Sequence, residues 1–137
     1  QFTGNWLVNW NSGCLVSAFI EGLAGIKDAG VSYDKVKLCP RWSATNANSV
    51  EMTSQYAASQ NYVAYHLFTS EDTIHLRLAG VAEETDVELL LPAEKVPENI
   101  TINGTSTDFE VKTVGNSQYV TYSTQDISYK DMQISLK

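Results

Sequence analysis

The sequence predicts a mainly β fold, an antiparallel β-sandwich preceded by one N-terminal helix. Three observations carry that expectation. From Val31 to the C-terminus apolar residues recur at every second position, the period of a half-buried strand. Turn residues interrupt those runs at the spacing of a sandwich. Ahead of them, residues 12–26 form one nearly uncharged run with helical spacing, in which Glu21 is the only charge.

The helix comes first. Ser12 suits an N-cap, because its hydroxyl can accept from the open N–H groups of the first turn. Leu15, Phe19, Leu23 and Ile26 form one stripe, with Ala18 and Gly22 beside it, and Val16, Ser17 and Ile20 lie opposite. A small sheet covers one side of a helix. The spacing therefore sends Leu15, Phe19 and Leu23 toward the sandwich and leaves Val16 and Ile20 for a missing partner. These five are the candidate domain-interface residues, and a homodimer through the helix is the other way to cover them. Gly25 in the left-handed conformation stops the helix, and residues 27–30 are expected as a loop. The chain thus divides into an N-terminal segment, 1–30, and a sandwich domain, 31–137.

Strands follow in order. Val36 and Leu38 alternate with Lys35 and Lys37 until Pro40 ends the run. Residues 50–56, 62–68, 73–79, 86–91, 99–103, 109–114, 118–122 and 132–136 continue the pattern. One hairpin can be set in register. Placing Val63, Tyr65 and Leu67 on one face with Ile74, Leu76 and Leu78 requires paired numbers with an odd sum. A sum of 141 leaves residues 69–72 as the loop and sets His66 opposite His75, beside Phe68 and Arg77. Asn99-Ile-Thr101 and Asn103-Gly-Thr105 match the glycosylation pattern, but Asn103-Gly104 is read as a turn dipeptide.

Composition excludes several functions. A 43% hydrophobic, 18% charged chain of 137 residues is globular and fits one domain. Its net charge of −7 and singly scattered Lys and Arg argue against nucleic acid. No apolar stretch reaches the roughly 18–20 residues of a membrane span. No signal peptide is visible ahead of the helix. Cys14 and Cys39 are read as two small buried residues, with a disulfide joining helix to first strand as the alternative.

Chemistry-bearing motifs are few. There is no Gly-x-Ser-x-Gly elbow and no glycine-rich phosphate loop. His66 and His75 lack the third ligand that zinc requires, and the acidic residues cluster where strands meet turns. No catalytic residue, metal or cofactor is assigned. Aromatic side chains are the exception, since flat rings stack on sugar faces. Trp6, Trp10 and Trp42 are the candidate carbohydrate-binding residues, weighed against a role in packing or at an interface.

Two sequence features then carry a resemblance. The run ending Glu21-Gly-Leu-Ala-Gly-Ile26, followed by Val36-Lys-Leu-Cys-Pro40, resembles the last barrel helix and following strand of (α/α)6-barrel glycoside hydrolases, the α-L-rhamnosidases above all. Val87-Glu-Leu-Leu-Leu-Pro92 and Ile100-Thr-Ile-Asn-Gly104 are similar to the rhythm of the C-terminal β-sandwich in that family. The resemblance implies a non-catalytic domain that packs on and stabilises a catalytic barrel absent from this chain. A carbohydrate-binding module is the alternative. Rhamnosidase-like members often carry a His-Gly-Trp-Ser stretch at the start of this helix, near the sugar. The matching Asn9-Trp-Asn-Ser12 lacks the histidine, so no substrate contact is carried over.

Overall fold

The computed structural model describes residues 12–137. They form one N-terminal helical segment, a single 3-10 turn at Trp42–Ala44 and a sandwich of two sheets. The segment, α1, is α-helical over residues 12–17 and widens to a π-helix over Ala18–Leu23. Ser12 is itself within the helix rather than the N-cap expected of it. Gly25 stops the helix as expected, with φ +71°. A Cβ built there would lie 2.0 Å from the Cys39 carbonyl oxygen, so only glycine fits this reversal.

Ile26 does not belong to the helical stripe. The reversal at Gly25 carries it into a short strand, β1 (Ile26–Asp28), where it pairs with Leu38 and is fully buried. The expected loop at 27–30 therefore begins later, and the expected division at residue 30 falls inside the β1–β2 hairpin. The remaining strands are β2 (Lys35–Leu38), β3 (Ser49–Gln55), β4 (Tyr62–Thr69), β5 (Thr73–Gly80) and β6 (Glu84–Leu90). After them come β7 (Pro97–Ile102), β8 (Thr105–Ser106), β9 (Glu110–Val114), β10 (Ser117–Gln125) and β11 (Lys130–Leu136). Every strand expected from the period of two is present. Only the very short β1 and β8 are additional, because two or three residues are too few to show alternation.

The sheets have orders β1-β2-β6-β10-β9 and β3-β4-β5-β11-β7-β8. All pairs are antiparallel except β2 with β6. The chain leaves β2, builds β3–β5 in the other sheet and returns, so the two neighbours run the same way. Alternation works as the sequence demands. Val36, Leu38, Val87, Leu89 and Val120 face Val63, Leu67, Leu76, Leu78, Ile100 and Ile134 across the dry interior. Each such side chain contributes about 1.5–3 kcal/mol by leaving water. Asn103 (φ 51°) and Gly104 (φ 81°) form the two-residue turn between β7 and β8.

Two local expectations are corrected. The β4–β5 register sums to 143, not 141, because Thr69 pairs Ile74 and the Ser70 N–H donates to the Thr73 carbonyl at 2.8 Å. The turn is thus two residues tighter. The required parity holds, but His66 faces Arg77 and His75 faces Phe68. Both cysteines are free. Cys39 is buried, but Cys14 is exposed on α1.

Two neighbouring glycines should respond oppositely to alanine. Gly25→Ala is expected to lose at least about 1 kcal/mol in urea denaturation, through its positive φ and the Cys39 carbonyl. Gly22→Ala, with nothing within 4 Å of the new methyl, is expected to gain up to about 1 kcal/mol.

Candidate functional site: an anchored helix with an open apolar face

A helix end leaves its last carbonyls without intrahelical donors. Here the four carbonyls of residues 22–25, at and just past that end, are met from the sandwich. The Arg41 guanidinium donates to the Gly22 carbonyl at 2.7 Å, and the Arg41 backbone N–H donates to Leu23 at 3.0 Å. The Tyr65 hydroxyl donates to Ala24 at 2.8 Å, and the Cys39 backbone N–H donates to Gly25 at 2.7 Å. Pro40 ends β2 and turns the chain so that Cys39 and Arg41 bracket the helix end. Tyr65 reaches it from the middle of β4.

Burial pushes the Tyr65 phenol up to about 12, so it stays protonated and remains a donor. It also accepts from the Trp42 indole N–H at 2.7 Å. Trp42 is therefore not the exposed stacking platform expected of it. It is 8% exposed, its N–H is used inside the core, and Phe19 meets its ring edge-on at 5.9 Å between centroids. Trp6 and Trp10 lie outside the described residues.

The five interface candidates divide along α1. Ile20 and Leu23 are half-buried against the core. Phe19 touches Trp42 yet is 45% exposed, while Leu15 is 71% and Val16 56% exposed. Leu15 thus does not reach the sandwich, and Ile20 does. The reason is geometric: α1 is fastened at its C-terminal end, residues 12–19 are left exposed, and the wide π turn shifts the faces by comparison with a 3.6-residue period. The result is a rigidly based helix whose N-terminal half holds apolar side chains in water. Such a surface can bury against protein.

Elsewhere the outer faces are polar. A groove of about 600 Å³ on the five-stranded sheet is lined by Lys37, Asp86, Glu88, Asp108, Phe109 and Ser123, among others. Glu88 sits 2.9 Å from Lys37 and 3.6 Å from Lys112. Its hydrogen bond with Lys37 holds the carboxyl below its usual value and raises the lysine. On the other sheet His66 lies 3.0 Å from the Ser49 hydroxyl, and among the described residues no group of three His, Cys, Asp or Glu is placed to hold a metal. Arg41 and Tyr65 were not legible as site residues. Their partners at the helix end lie 18–41 positions away in the chain, and no local pattern marks either of them.

Removing the Tyr65 hydroxyl tests the anchor. Tyr65→Phe leaves the Ala24 carbonyl and the Trp42 N–H buried and unpaired, and should cost about 2–4 kcal/mol in chemical denaturation. Amide exchange at Leu23–Gly25 should accelerate at the same time.

No family model matches the sequence, and no curated protein does. Among solved structures, the chain is similar to an α-L-rhamnosidase from Dictyoglumus thermophilum, with a TM-score of 0.67 and 11% sequence identity. The match covers 90% of this chain and 13% of that one. At that identity the likeness is one of fold, a β-sandwich occupying a small part of a much larger chain.

Proposed function

We propose that this chain is a non-catalytic β-sandwich region of a carbohydrate-active enzyme, whose α1 packs on a catalytic (α/α)6 barrel. The supporting observation is the anchored helix. Four carbonyl bonds hold α1 in place while Leu15 and Val16 remain exposed. Its fold is similar to a 13% portion of a rhamnosidase, and the resemblance in sequence to the last barrel helix of that family supports the same reading. The barrel supplies the chemistry; the sandwich supplies apolar burial, worth about 1.5–3 kcal/mol for each side chain removed from water. Leu15, Val16 and Phe19 are the residues that gain most. Ile20 and Leu23 form the seam between helix and sandwich.

The polypeptide encoded ahead of Gln1 is expected to contain that barrel and to co-purify with this chain when the two are expressed together. Leu15→Asp with Val16→Asp should abolish co-purification and leave the thermal melt of the sandwich unchanged, since both residues are exposed. Absence of a barrel-sized segment, or full retention of the complex by the variant, would overturn the reading. A saturable change in Trp fluorescence on titrating oligosaccharides into the chain alone would instead favour a carbohydrate-binding module.

A further inference from the structure

The sandwich has four sheet ends, and they are not equivalent. β1 is three residues long and β8 two, too short to template another strand. β3 is seven residues long, but Glu51 is its only charge. β9 is different. It is a five-residue strand, Glu-Val-Lys-Thr-Val, paired on one side only among the described residues, exposed throughout and free of Pro and Gly.

Its hydrogen-bonding phase follows from its turn. Gly115 and Asn116 form a two-residue connection, with Gly115 at φ +60°, so Val114 and Ser117 are the closing hydrogen-bonded pair. Lys112 with Tyr119 and Glu110 with Thr121 repeat that phase. The backbone N–H and C=O groups of Val111 and Thr113 therefore point away from β10, to the free edge. Val111 lies opposite the fully buried Val120 and so belongs to the inner face, yet it is 45% exposed because it overhangs the core. Glu110 and Lys112 lie on the outer face.

We infer that the β9 edge is a self-pairing edge, at which a second copy of this chain adds its own β9 antiparallel. One register pairs the outward Val111 groups and both charges at once. With Val111 opposite Val111, the outward N–H and C=O groups of both strands are in phase to bond each other. The two overhanging valines cover one another. Glu110 meets Lys112 of the other copy, twice, as opposite-charge cross-strand pairs. Lys112 already lies 3.6 Å from Glu88, so the new pairs extend an existing charge network. No register of β3 offers such complementarity. The joint surface of two five-residue strands falls below the roughly 1,200 Å² of stable interfaces, so the dimer is weak and concentration-dependent. β9 and β1 are opposite edges of the five-stranded sheet and α1 adjoins β1, so self-pairing leaves the helix open. The inference is independent of the proposed function.

Sedimentation equilibrium of the chain tests it. The weight-average mass should rise with concentration from 15.1 kDa toward twice that value. Glu110→Lys and Lys112→Glu should each weaken self-association at least about tenfold, because two attractive pairs become repulsive. Mixing the two variants in equal amounts should restore it, since each strand then meets the opposite charges. Val111→Pro removes an outward N–H without touching the β10 ladder, and should abolish association with the melt retained. A chain that stays monomeric at millimolar concentration overturns the inference. So does self-association that survives Val111→Pro and Glu110→Lys but is lost in Leu15→Asp, which would assign the contact to α1.

Discussion

The bonds at the C-terminal end of α1 are the constraint on which the rest depends. Four carbonyls in sequence, Gly22 to Gly25, accept from Arg41, Tyr65 and Cys39. Each would cost about 1–3 kcal/mol if buried without a partner, so together they outweigh any single side-chain contact of the helix. Their donors come from the end of β2, the chain just beyond Pro40 and the centre of β4. The helix is therefore tied to both sheets at one point. That fixes its direction, and direction decides that Ile20 and Leu23 face the core while Leu15 and Val16 do not. Gly25 is indispensable because the Cys39 carbonyl occupies the place of a side chain.

Two kinds of surface result, at opposite edges of one sheet. At the β1 edge stands an apolar helix with a single charge, Glu21; at the β9 edge lies a strand in which Glu110 and Lys112 flank Val111. Their energetics differ in scale. Burying Leu15, Val16 and Phe19 gains about 1.5–3 kcal/mol apiece, whereas exposed ion pairs such as Lys35–Glu84 at 3.2 Å contribute about 0–1 kcal/mol. The helix is the surface suited to a permanent contact. The strand edge is suited to a reversible one. Between them the outer face of the sheet, with Glu88 held between Lys37 and Lys112, keeps the sandwich hydrated.

Much of the fold was legible in the sequence because alternation is a local property. Val36 and Leu38 against Lys35 and Lys37, or Val63, Tyr65 and Leu67 in β4, state their face within a few residues. The parity of the β4–β5 hairpin was legible for the same reason. Its register was not, since parity leaves steps of two undecided and the tight turn at Glu71-Asp72 chose between them. The apolar character of α1 and its stop at Gly25 could be read; the π turn over Ala18–Leu23 could not, because apolar spacing does not separate a 3.6-residue period from a wider one over six residues. Trp42 was misplaced by composition. An aromatic residue signals burial or display equally well, and Tyr65, which decides the matter, lies 23 positions further on.

Thiol labelling bears most directly on the role of α1, because the two cysteines report on different places. Cys14 is exposed on the projecting half of the helix beside Leu15, and Cys39 is buried at its anchor. In the isolated chain Cys14 should react as an open thiol and Cys39 only on unfolding. In the same chain joined to the polypeptide encoded ahead of it, labelling of Cys14 should slow by an order of magnitude or more, with Cys39 unchanged. Equal labelling of Cys14 in both states would mean that nothing covers the helix, and the interface assigned to Leu15, Val16 and Phe19 would be wrong.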